Sequence, residues 1–212
     1  MLAVEALGPE RVHALYMPYI KDDMRKYFDY IYPLENKTGI NFHTQWIRGA
    51  VINISESINF SESTNIDKVD LGNIMARVRM IFLYSYARRH NLLVLGTSNK
   101  SEIMTGYFTK WGDGAADLQP IAHLYKTHVK LIAKELGVPE NILQRVPSGE
   151  IWEGQTDEGE MGITYEELDS LLYKIEIETD THGDNLISNN LSKVLQMVGN
   201  SGHKRERIHT VR

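Results

Sequence analysis

Residues 92–102 read Leu92-Leu93-Val94-Leu95-Gly96-Thr97-Ser98-Asn99-Lys100-Ser101-Glu102, an apolar run that turns at once into a glycine and a polar segment. The apolar run predicts a short strand that is buried on both faces of a parallel sheet. The glycine and the polar residues predict a loop that leads into a helix. Because the N–H groups of a helix start can bind an anion, this stretch predicts a ligand site at the carboxyl end of a strand.

Helix and strand patterns alternate upstream of this run. Residues 1–7 predict a helix, and residues 11–17 and 40–47 predict strands. Residues 22–36 are compatible with a helix that Pro33 should interrupt. A longer helix that ends near residue 89 is predicted by an apolar stripe of Ile74, Val78, Ile81 and Phe82.

Further helices are predicted downstream. Residues 129–136 carry apolar side chains at helical spacing, and Gly137 is the expected stop. Thr164 and Glu167 form a capping-box pattern before the next helix, and residues 187–198 have the pattern of a final amphipathic helix. Strands that alternate with helices predict an α/β fold with a mainly parallel sheet and helices on both faces.

Composition limits the possible classes of function. A chain of 212 residues with 42% hydrophobic residues can bury the core of one domain. It has no apolar run of about 20 residues and no signal-like start, so we expect a cytoplasmic protein without a membrane partner. The net charge of −5 argues against nonspecific nucleic-acid binding. The absence of cysteine excludes a thiolate metal site and a cysteine nucleophile.

Charged and glycine residues concentrate after the 92–95 run, in residues 96–117. Lys110 and Lys126 can offset phosphate charge, and Glu102 can hold a hard cation such as Mg²⁺. A polar loop with ordinary caps and solvated lysines would have the same composition. Since glycine-rich loops often follow strands, spacing alone leaves both interpretations open.

Four blocks in order closely resemble the ammonia-dependent NAD⁺ synthetases of the N-type ATP pyrophosphatase superfamily. They are residues 96–102, 106–117, 120–126 and 147–158, the last with Pro147-Ser148-Gly149 and Gly154-Gln155-Thr156-Asp157-Glu158. Residues 73–80 and 203–205 are also similar to that family, so the resemblance covers nearly the whole chain. It implies a Rossmann-like adenine nucleotide alpha hydrolase fold and a single NAD synthetase domain over residues 1–212.

The resemblance also implies roles for individual residues. Thr97, Lys126 and Ser148 match ATP contacts, and Glu102 matches a Mg²⁺ ligand. Positions that bind deamido-NAD⁺ are matched by Arg77, Lys110, Asp117, His203 and Lys204. Their chemistry suits a dinucleotide with a pyrophosphate and a free carboxylate. Without the resemblance, a helical arginine such as Arg77 would be a surface group, and Lys204 would belong to a solvated basic tail.

The implied reaction is that of a ligase in NAD biosynthesis. The nicotinic acid carboxylate attacks the α-phosphorus of ATP, pyrophosphate leaves, and ammonia then displaces AMP to form the amide. No covalent enzyme nucleophile is required. Glutamine-dependent relatives add a domain with a catalytic cysteine, which this chain lacks, so free ammonia is the expected nitrogen source unless a separate subunit delivers it. A homodimer with the Arg77 helix near the contact is also implied.

Residues 148–162 hold many glycines and acidic residues, with Trp152 among them. A flexible surface loop would have this composition. The family resemblance implies a lid over the ATP site, which would exclude water from a reactive acyl adenylate.

One family feature is missing from the start of the sequence. The family has a strand and a Ser-Gly-Gly-x-Asp-Ser loop that wraps the pyrophosphate, whereas this sequence begins in the helix that follows. Without that strand, two neighbouring strand edges would lack partners. We therefore expect the polypeptide to include further residues. Residues 18–33 could then also join segments that are not adjacent, and an intact mass of 24.3 kDa would contradict this.

Two other functions remain open from sequence. A non-catalytic homologue could keep the dinucleotide site and lack the triphosphate loop. Another ATP pyrophosphatase, such as a GMP synthetase-like amidotransferase, would share the fold. The 106–117 block and the His203-Lys204 pair disfavour the second possibility, because they look particular to the NAD⁺ synthetases.

Overall fold

The computed structural model describes residues 1–20, 23–62, 66–177 and 189–206. Its sheet is parallel: β1 (Ala14–Tyr16) pairs with β2 (Phe42–Thr44), with Ala14 opposite Phe42. Helix α1 (Leu2–Leu7) precedes β1, and the connection from β1 to β2 contains α2 (Asp23–Lys26) and α3 (Tyr32–Thr38). Two parallel strands joined by a helical connection confirm the predicted α/β class.

The predicted break at Pro33 is wrong. A π-helical turn, Tyr27–Ile31, runs directly into α3, and Pro33 lies in the first turn of that helix. The Tyr32 N–H bonds to the Tyr27 carbonyl, one residue farther back than in an α-helix. Because the ring of a proline is tolerated in the first turn of a helix, the chain remains helical to Thr38. Gly39, with φ 73°, caps the end of this helix.

The 92–95 run is extended but is not a strand buried on both faces, so that prediction is wrong. Leu95 forms one parallel bridge with Leu118, and the Gly96 N–H donates to the Leu118 carbonyl at 2.8 Å. Val94 is 5% exposed, whereas Leu93 is 76% exposed. Alternate side chains of an extended segment point to opposite faces, and only the face that carries Val94 is covered.

One core lies between α4 (Arg48–Glu62) and α5 (Lys68–His90). Helix α5 begins where the Asp67 side chain accepts from the Asp70 N–H, and it includes the predicted stripe. The predicted burial of Ile81 is wrong, since this side chain is 56% exposed. Met75, which was not part of the predicted stripe, is buried. The buried members of this core are Ile47, Val51, Ile74, Met75 and Val78.

A second core joins α6 (Lys100–Thr105), α10 (Tyr165–Ile177) and α11 (Asn189–Asn200). It also includes Met161 and Tyr125, the residue at the N-cap of α7 (Lys126–Glu135). The predicted stop at Gly137 is confirmed by its φ of 65°. The final helix is confirmed as α11, although Ile187 lies outside the described residues. Shorter helices complete the chain: α8 (Glu140–Leu143), α9 (Asp157–Met161) and α12 (Gly202–Arg205). In the part of the chain that the structure describes, every helix is too short or too polar to cross a lipid bilayer.

Candidate active site

Glu102 is fixed at the start of α6 by a reciprocal pair of hydrogen bonds. The Glu102 N–H donates to Asn99 Oδ1 at 3.1 Å, and the Asn99 N–H donates to Glu102 Oε2 at 3.0 Å. This capping box orients the carboxylate and leaves Oε1 directed at the neighbouring helix. The Lys100 N–H bonds to the Leu124 carbonyl at 2.8 Å, so these N–H groups serve the protein itself rather than an anion.

Lys126 faces Glu102 from the first residue of α7. Its Nζ lies 3.1 Å from Glu102 Oε1, with side-chain exposures of 21% and 16%. The same ammonium lies 5.0 Å from the centre of the Tyr165 ring, within the range of a cation–π contact. A cation and a carboxylate of two helices therefore meet at a half-buried position.

A cavity of about 590 Å³ opens beside this pair. All four residues assigned to ATP and Mg²⁺ line it, namely Thr97, Glu102, Lys126 and Ser148. They come from the loop after the 92–95 run, from two helices and from residues 147–158. Residues that are far apart in the sequence therefore line the same cavity.

The same cavity has charged residues that sequence reasoning did not single out. Lys130 and Arg145 add positive charge, and Asp113 and Asp157 add carboxylates. Lys130 follows Lys126 by one helical turn, which is a signal the sequence did contain. Arg145 pairs with Glu150, a contact between two loops that local sequence patterns do not indicate.

Two tyrosines hold Asp157 at the edge of the cavity. The Tyr165 hydroxyl donates to Asp157 Oδ2 at 3.0 Å. The Tyr107 hydroxyl lies 3.3 Å from Asp157 Oδ1 and shares its single proton between that oxygen and the nearer Glu160 Oε2. Burial, together with the negative charges of Glu102 and Asp157, raises the pKa of Tyr165 far above its usual value of 10.0. Burial and a hydrogen bond to Glu160 raise the pKa of Tyr107 in the same way, so both hydroxyls stay protonated and act as donors.

The residues assigned to deamido-NAD⁺ form a second group around residues 106–110. Arg77 Nη2 donates to the Lys110 carbonyl at 3.4 Å, and Lys110 Nζ donates to the His203 carbonyl. Lys204 Nζ donates to the Gly106 and Phe108 carbonyls, each at 2.7 Å. The structure therefore brings four of the five predicted residues to one loop.

Asp117, the fifth predicted residue, is engaged elsewhere. Its Oδ2 accepts the Val94 N–H at 2.7 Å, and its own N–H donates to the Val94 carbonyl at 2.9 Å. Burial, the negative charge of Asp117 and a hydrogen bond to Asp117 raise the pKa of Tyr84 above its usual value of 10.0. In this structure Asp117 supports the extended 92–95 run.

Residues 201–204 pack closely against the loop at Gly106. Gly106 has φ 69°, and a Cβ built on it would lie 2.1 Å from Ser201 Cβ. Burial lowers the pKa of Lys204, and the Asp113 carboxylate opposes that shift. Since Asp113 also lines the cavity, loop 106–114 contributes residues both to the cavity and to the contacts of the second group.

Comparison with known proteins identifies the family of this chain. The family described as NAD synthase matches residues 1–208. The chain belongs to the NAD synthase family. The NH(3)-dependent NAD(+) synthetase of Pyrococcus furiosus is 44% identical over 209 residues, which cover 96% of this chain and 79% of that protein. That of Thermococcus sibiricus is 43% identical over 211 residues, covering 97% and 80%.

Solved structures of related enzymes resemble the fold. The NMN synthetase of Francisella tularensis gives a TM-score of 0.77 at 37% identity, covering 94% of this chain and 78% of that one. The NH3-dependent NAD synthetase of Campylobacter jejuni, in complex with the nitrate ion, gives 0.76 at 26% identity, covering 100% and 82%. These likenesses confirm the predicted family and the Rossmann-like fold.

Within this NAD synthase chain, residues 148–162 are more firmly held than a flexible surface loop. The Asp157 N–H donates to the Pro147 carbonyl at 3.0 Å, and Met161 is 3% exposed in the second core. Ile151 packs against the first core at Gly72, where a Cβ would lie 2.4 Å from Ile151 Cδ1. The segment therefore spans both cores of the molecule.

The family resemblance predicts Glu102 as a ligand of Mg²⁺. Across residues 1–20, 23–62, 66–177 and 189–206, no group of three or more His, Cys, Asp or Glu side chains is placed to hold a metal ion. One carboxylate is nevertheless enough for a Mg²⁺ ion that arrives with phosphates, since this ion keeps waters and phosphate oxygens as its other ligands. Oε1 already faces a cation, the Lys126 ammonium.

Proposed function

We propose that this chain is a ligase of NAD biosynthesis, an ammonia-dependent NAD⁺ synthetase. It converts deamido-NAD⁺, ATP and ammonia into NAD⁺, AMP and pyrophosphate. The observation that carries this proposal is the cavity shared by Thr97, Glu102, Lys126 and Ser148 in a member of the NAD synthase family.

The cavity suits ATP in size and charge. Its volume of about 590 Å³ lies in the range of small-molecule sites. Lys126, Lys130 and Arg145 can offset triphosphate charge, and the hydroxyls of Thr97 and Ser148 can donate to phosphate or ribose oxygens. We assign ATP to this cavity on that basis.

We assign deamido-NAD⁺ to the group of Arg77, Lys110, His203 and Lys204, and we keep Asp117 as a further proposed contact although its carboxylate is bonded to the Val94 N–H. Guanidinium and ammonium groups suit the pyrophosphate and the carboxylate of this dinucleotide. Loop 106–114 contributes to both this group and the cavity. Two substrates that bind next to the same loop can bring a carboxylate and a phosphate together.

The reaction then proceeds in two steps. A carboxylate oxygen of the nicotinic acid group attacks the α-phosphorus, the bond from that phosphorus to the bridging oxygen breaks, and pyrophosphate leaves. Ammonia attacks the carbonyl carbon of the adenylate, the carbon–oxygen bond breaks, AMP leaves and the nitrogen loses a proton. The chain's own residues orient the two substrates and offset charge, which accounts for most catalysis in reactions without an enzyme nucleophile.

We propose that Glu102 holds Mg²⁺ with ATP. A Mg²⁺ ion at Oε1 would offset the charge of the triphosphate. The fit rests on the capping box, which presents this oxygen at one fixed position, and on the cation that already faces it. Lys126 would turn from Glu102 to the phosphates when both ligands enter.

We further propose one NAD synthetase domain over residues 1–212 that forms a homodimer through the helix of Arg77. Exposed apolar side chains on α4 and α5 support this, with Ile54 at 38%, Val69 at 59% and Ile81 at 56% exposure. We propose the cytoplasm as its location and small molecules as its partners. A net charge of −5 disfavours polyanions such as nucleic acids.

The test is an ammonium-dependent assay on the purified protein. ATP, MgCl₂, deamido-NAD⁺ and ammonium chloride should give NAD⁺, AMP and pyrophosphate in equal amounts. Binding of deamido-NAD⁺ without release of AMP would instead support the non-catalytic homologue. Turnover of xanthosine monophosphate but not deamido-NAD⁺ would support another ATP pyrophosphatase.

The likeness to an NMN synthetase calls for a second substrate in the same assay. Nicotinic acid mononucleotide has the same reacting carboxylate and lacks the adenylyl half that Arg77, Lys110 and Lys204 would help to bind. We expect deamido-NAD⁺ to have the higher kcat/KM. A higher value for the mononucleotide would change the assigned substrate and leave the chemistry as proposed.

A further inference from the structure

A buried carboxylate outside the cavity links the two helices that form it. Asp169 lies on α10 and is 5% exposed. Its Oδ1 accepts the hydroxyl of Ser101, and its Oδ2 accepts the Thr127 N–H at 2.9 Å. Ser101 is itself fully buried, and its Oγ accepts the Lys126 N–H at 2.9 Å.

These bonds complete the start of α7. The first N–H groups of a helix have no partner within it and must find one elsewhere. Tyr125, at the N-cap position, directs its hydroxyl to Glu176 instead. Ser101 from α6 and Asp169 from α10 therefore supply the acceptors, and a carboxylate at this end of a helix is also favoured by the helix dipole.

The consequence lies in the cavity. Ser101 immediately precedes Glu102, and Thr127 immediately follows Lys126, so Asp169 fixes the backbone beside both. The separation of 3.1 Å between Lys126 Nζ and Glu102 Oε1 depends on how α6 and α7 are set against each other. Asp169 bonds to both helices directly beside this pair.

We propose that Asp169 is a positioning residue for the reaction with ATP. Through Ser101 and the first N–H groups of α7, it fixes the backbones of Lys126 and Glu102 at positions from which the two side chains can reach the triphosphate and its metal ion. This inference rests on the proposed function and extends it to a residue that lies outside the ATP cavity.

A purely structural role would give a different result. Loss of a general support would affect both substrates, because both sites would loosen. The group assigned to deamido-NAD⁺ is held by other contacts, such as those of Lys204 to Gly106 and Phe108. A positioning role for Asp169 should therefore appear in the ATP parameters and not in those of the dinucleotide.

The experiment measures steady-state kinetics of Asp169→Asn for each substrate. We expect kcat/KM for ATP to fall by about 10- to 100-fold, the usual effect of misplacing reacting groups by a fraction of an ångström to an ångström. KM for deamido-NAD⁺ at saturating ATP should stay at the wild-type value. The matched control is Glu167→Gln on the same helix, because the Glu167 side chain accepts from Asn190 of α11 rather than from α6 or α7, and it should keep the wild-type ATP parameters.

A second variant covers the case in which Asp169→Asn does not fold. Ser101→Ala removes the hydroxyl and leaves the bond from Thr127 to Asp169, and it should show the same ATP-specific loss. If both variants fold, their effects on kcat/KM should be less than additive, because they break one chain of hydrogen bonds.

The outcomes separate this inference from the proposed function. Wild-type protein that does not amidate deamido-NAD⁺ would overturn the proposed function. Active wild-type protein together with unchanged ATP parameters in both variants would overturn only the role of Asp169. Equal losses for ATP and deamido-NAD⁺ would also overturn it, since they would indicate a general support.

Discussion

Glu102 divides its carboxylate between two tasks. Oε2 accepts the Asn99 N–H and helps to start α6, while Oε1 faces Lys126 in the cavity. The two tasks can be separated by substitution because glutamine keeps an acceptor oxygen and loses the charge.

Glu102→Gln and Glu102→Ala should both nearly abolish adenylation, because each removes the charge proposed to hold Mg²⁺. Both variants lose the ion pair with Lys126, and the alanine variant should be less stable than the glutamine variant by about 1 kcal/mol, since it also removes half of the capping box. Pyrophosphate release and denaturant unfolding would measure the two effects. Wild-type turnover in Glu102→Gln would remove Glu102 from the metal site.

Gly106→Ala should destabilise the fold more than Gly154→Ala does. Both glycines have positive φ, 69° and 77°, so alanine strains either backbone by about 1 to 3 kcal/mol. Only at Gly106 would the new Cβ meet another residue, Ser201, whereas at Gly154 the nearest 4 Å is open. Denaturant unfolding would measure the free energy of unfolding of both variants. If both lose the same amount, Ser201 moves aside without destabilising the fold, which would contradict this prediction.

At this scale the sequence identified most of the candidate site. Thr97, Glu102, Lys126 and Ser148 were assigned by resemblance, and the structure gathers them in one cavity. The engagement of Asp117 with the Val94 N–H was not predictable, because a carboxylate bonds to whichever donor the fold leaves nearby. Asp169 was missed because a buried cap between three helices has no local pattern in the sequence.

At the scale of elements, α10 is tied to α6 and α7 by a second acidic residue. Glu176 accepts from Lys100 at 2.5 Å and from the Tyr125 hydroxyl. Burial raises the pKa of Glu176, but the hydrogen bonds from Lys100 and Tyr125 outweigh it, and the net shift is below the usual 4.5.

Glu176→Gln should therefore lower stability at neutral pH but not in acid. A carboxylate with a lowered folded-state pKa stabilises the protein above its usual pKa, and this contribution is lost as the pH falls through the folded value. The melting temperatures of wild type and variant should thus converge as the pH falls below 4.5. A difference that widened on acidification would contradict the assigned bonds.

Local sequence patterns predicted most helices and strands, but they did not predict two features, the π-helical turn before Pro33 and the exposure of residues 92–95. Helix α5, the stop at Gly137 and the parallel strands follow from local patterns. The π-helical turn before Pro33 does not, because it depends on one hydrogen bond that reaches a residue farther than usual. The burial of residues 92–95 depends on which neighbours cover each face, and an apolar run cannot specify that.

At the scale of the whole molecule, the exposed side chains of α5 bear on assembly. Ile81→Asp should shift the proposed homodimer toward monomer, because a charge would be buried in an apolar contact. Light scattering after size-exclusion chromatography would measure the mass. Leu131→Asp, at a residue 64% exposed on α7, is the matched control and should leave the mass unchanged. A monomeric wild type would exclude the homodimer.

Gly72 lies on α5, where Ile151 occupies the space that a methyl group would fill. Ile151 follows Ser148, a residue that lines the cavity, by three positions. Alanine at position 72 should therefore displace this part of the cavity lining and, in the proposed reaction, admit water to the acyl adenylate before ammonia arrives. Such a variant should release more AMP than NAD⁺, a loss of coupling that quantification of the two products would detect.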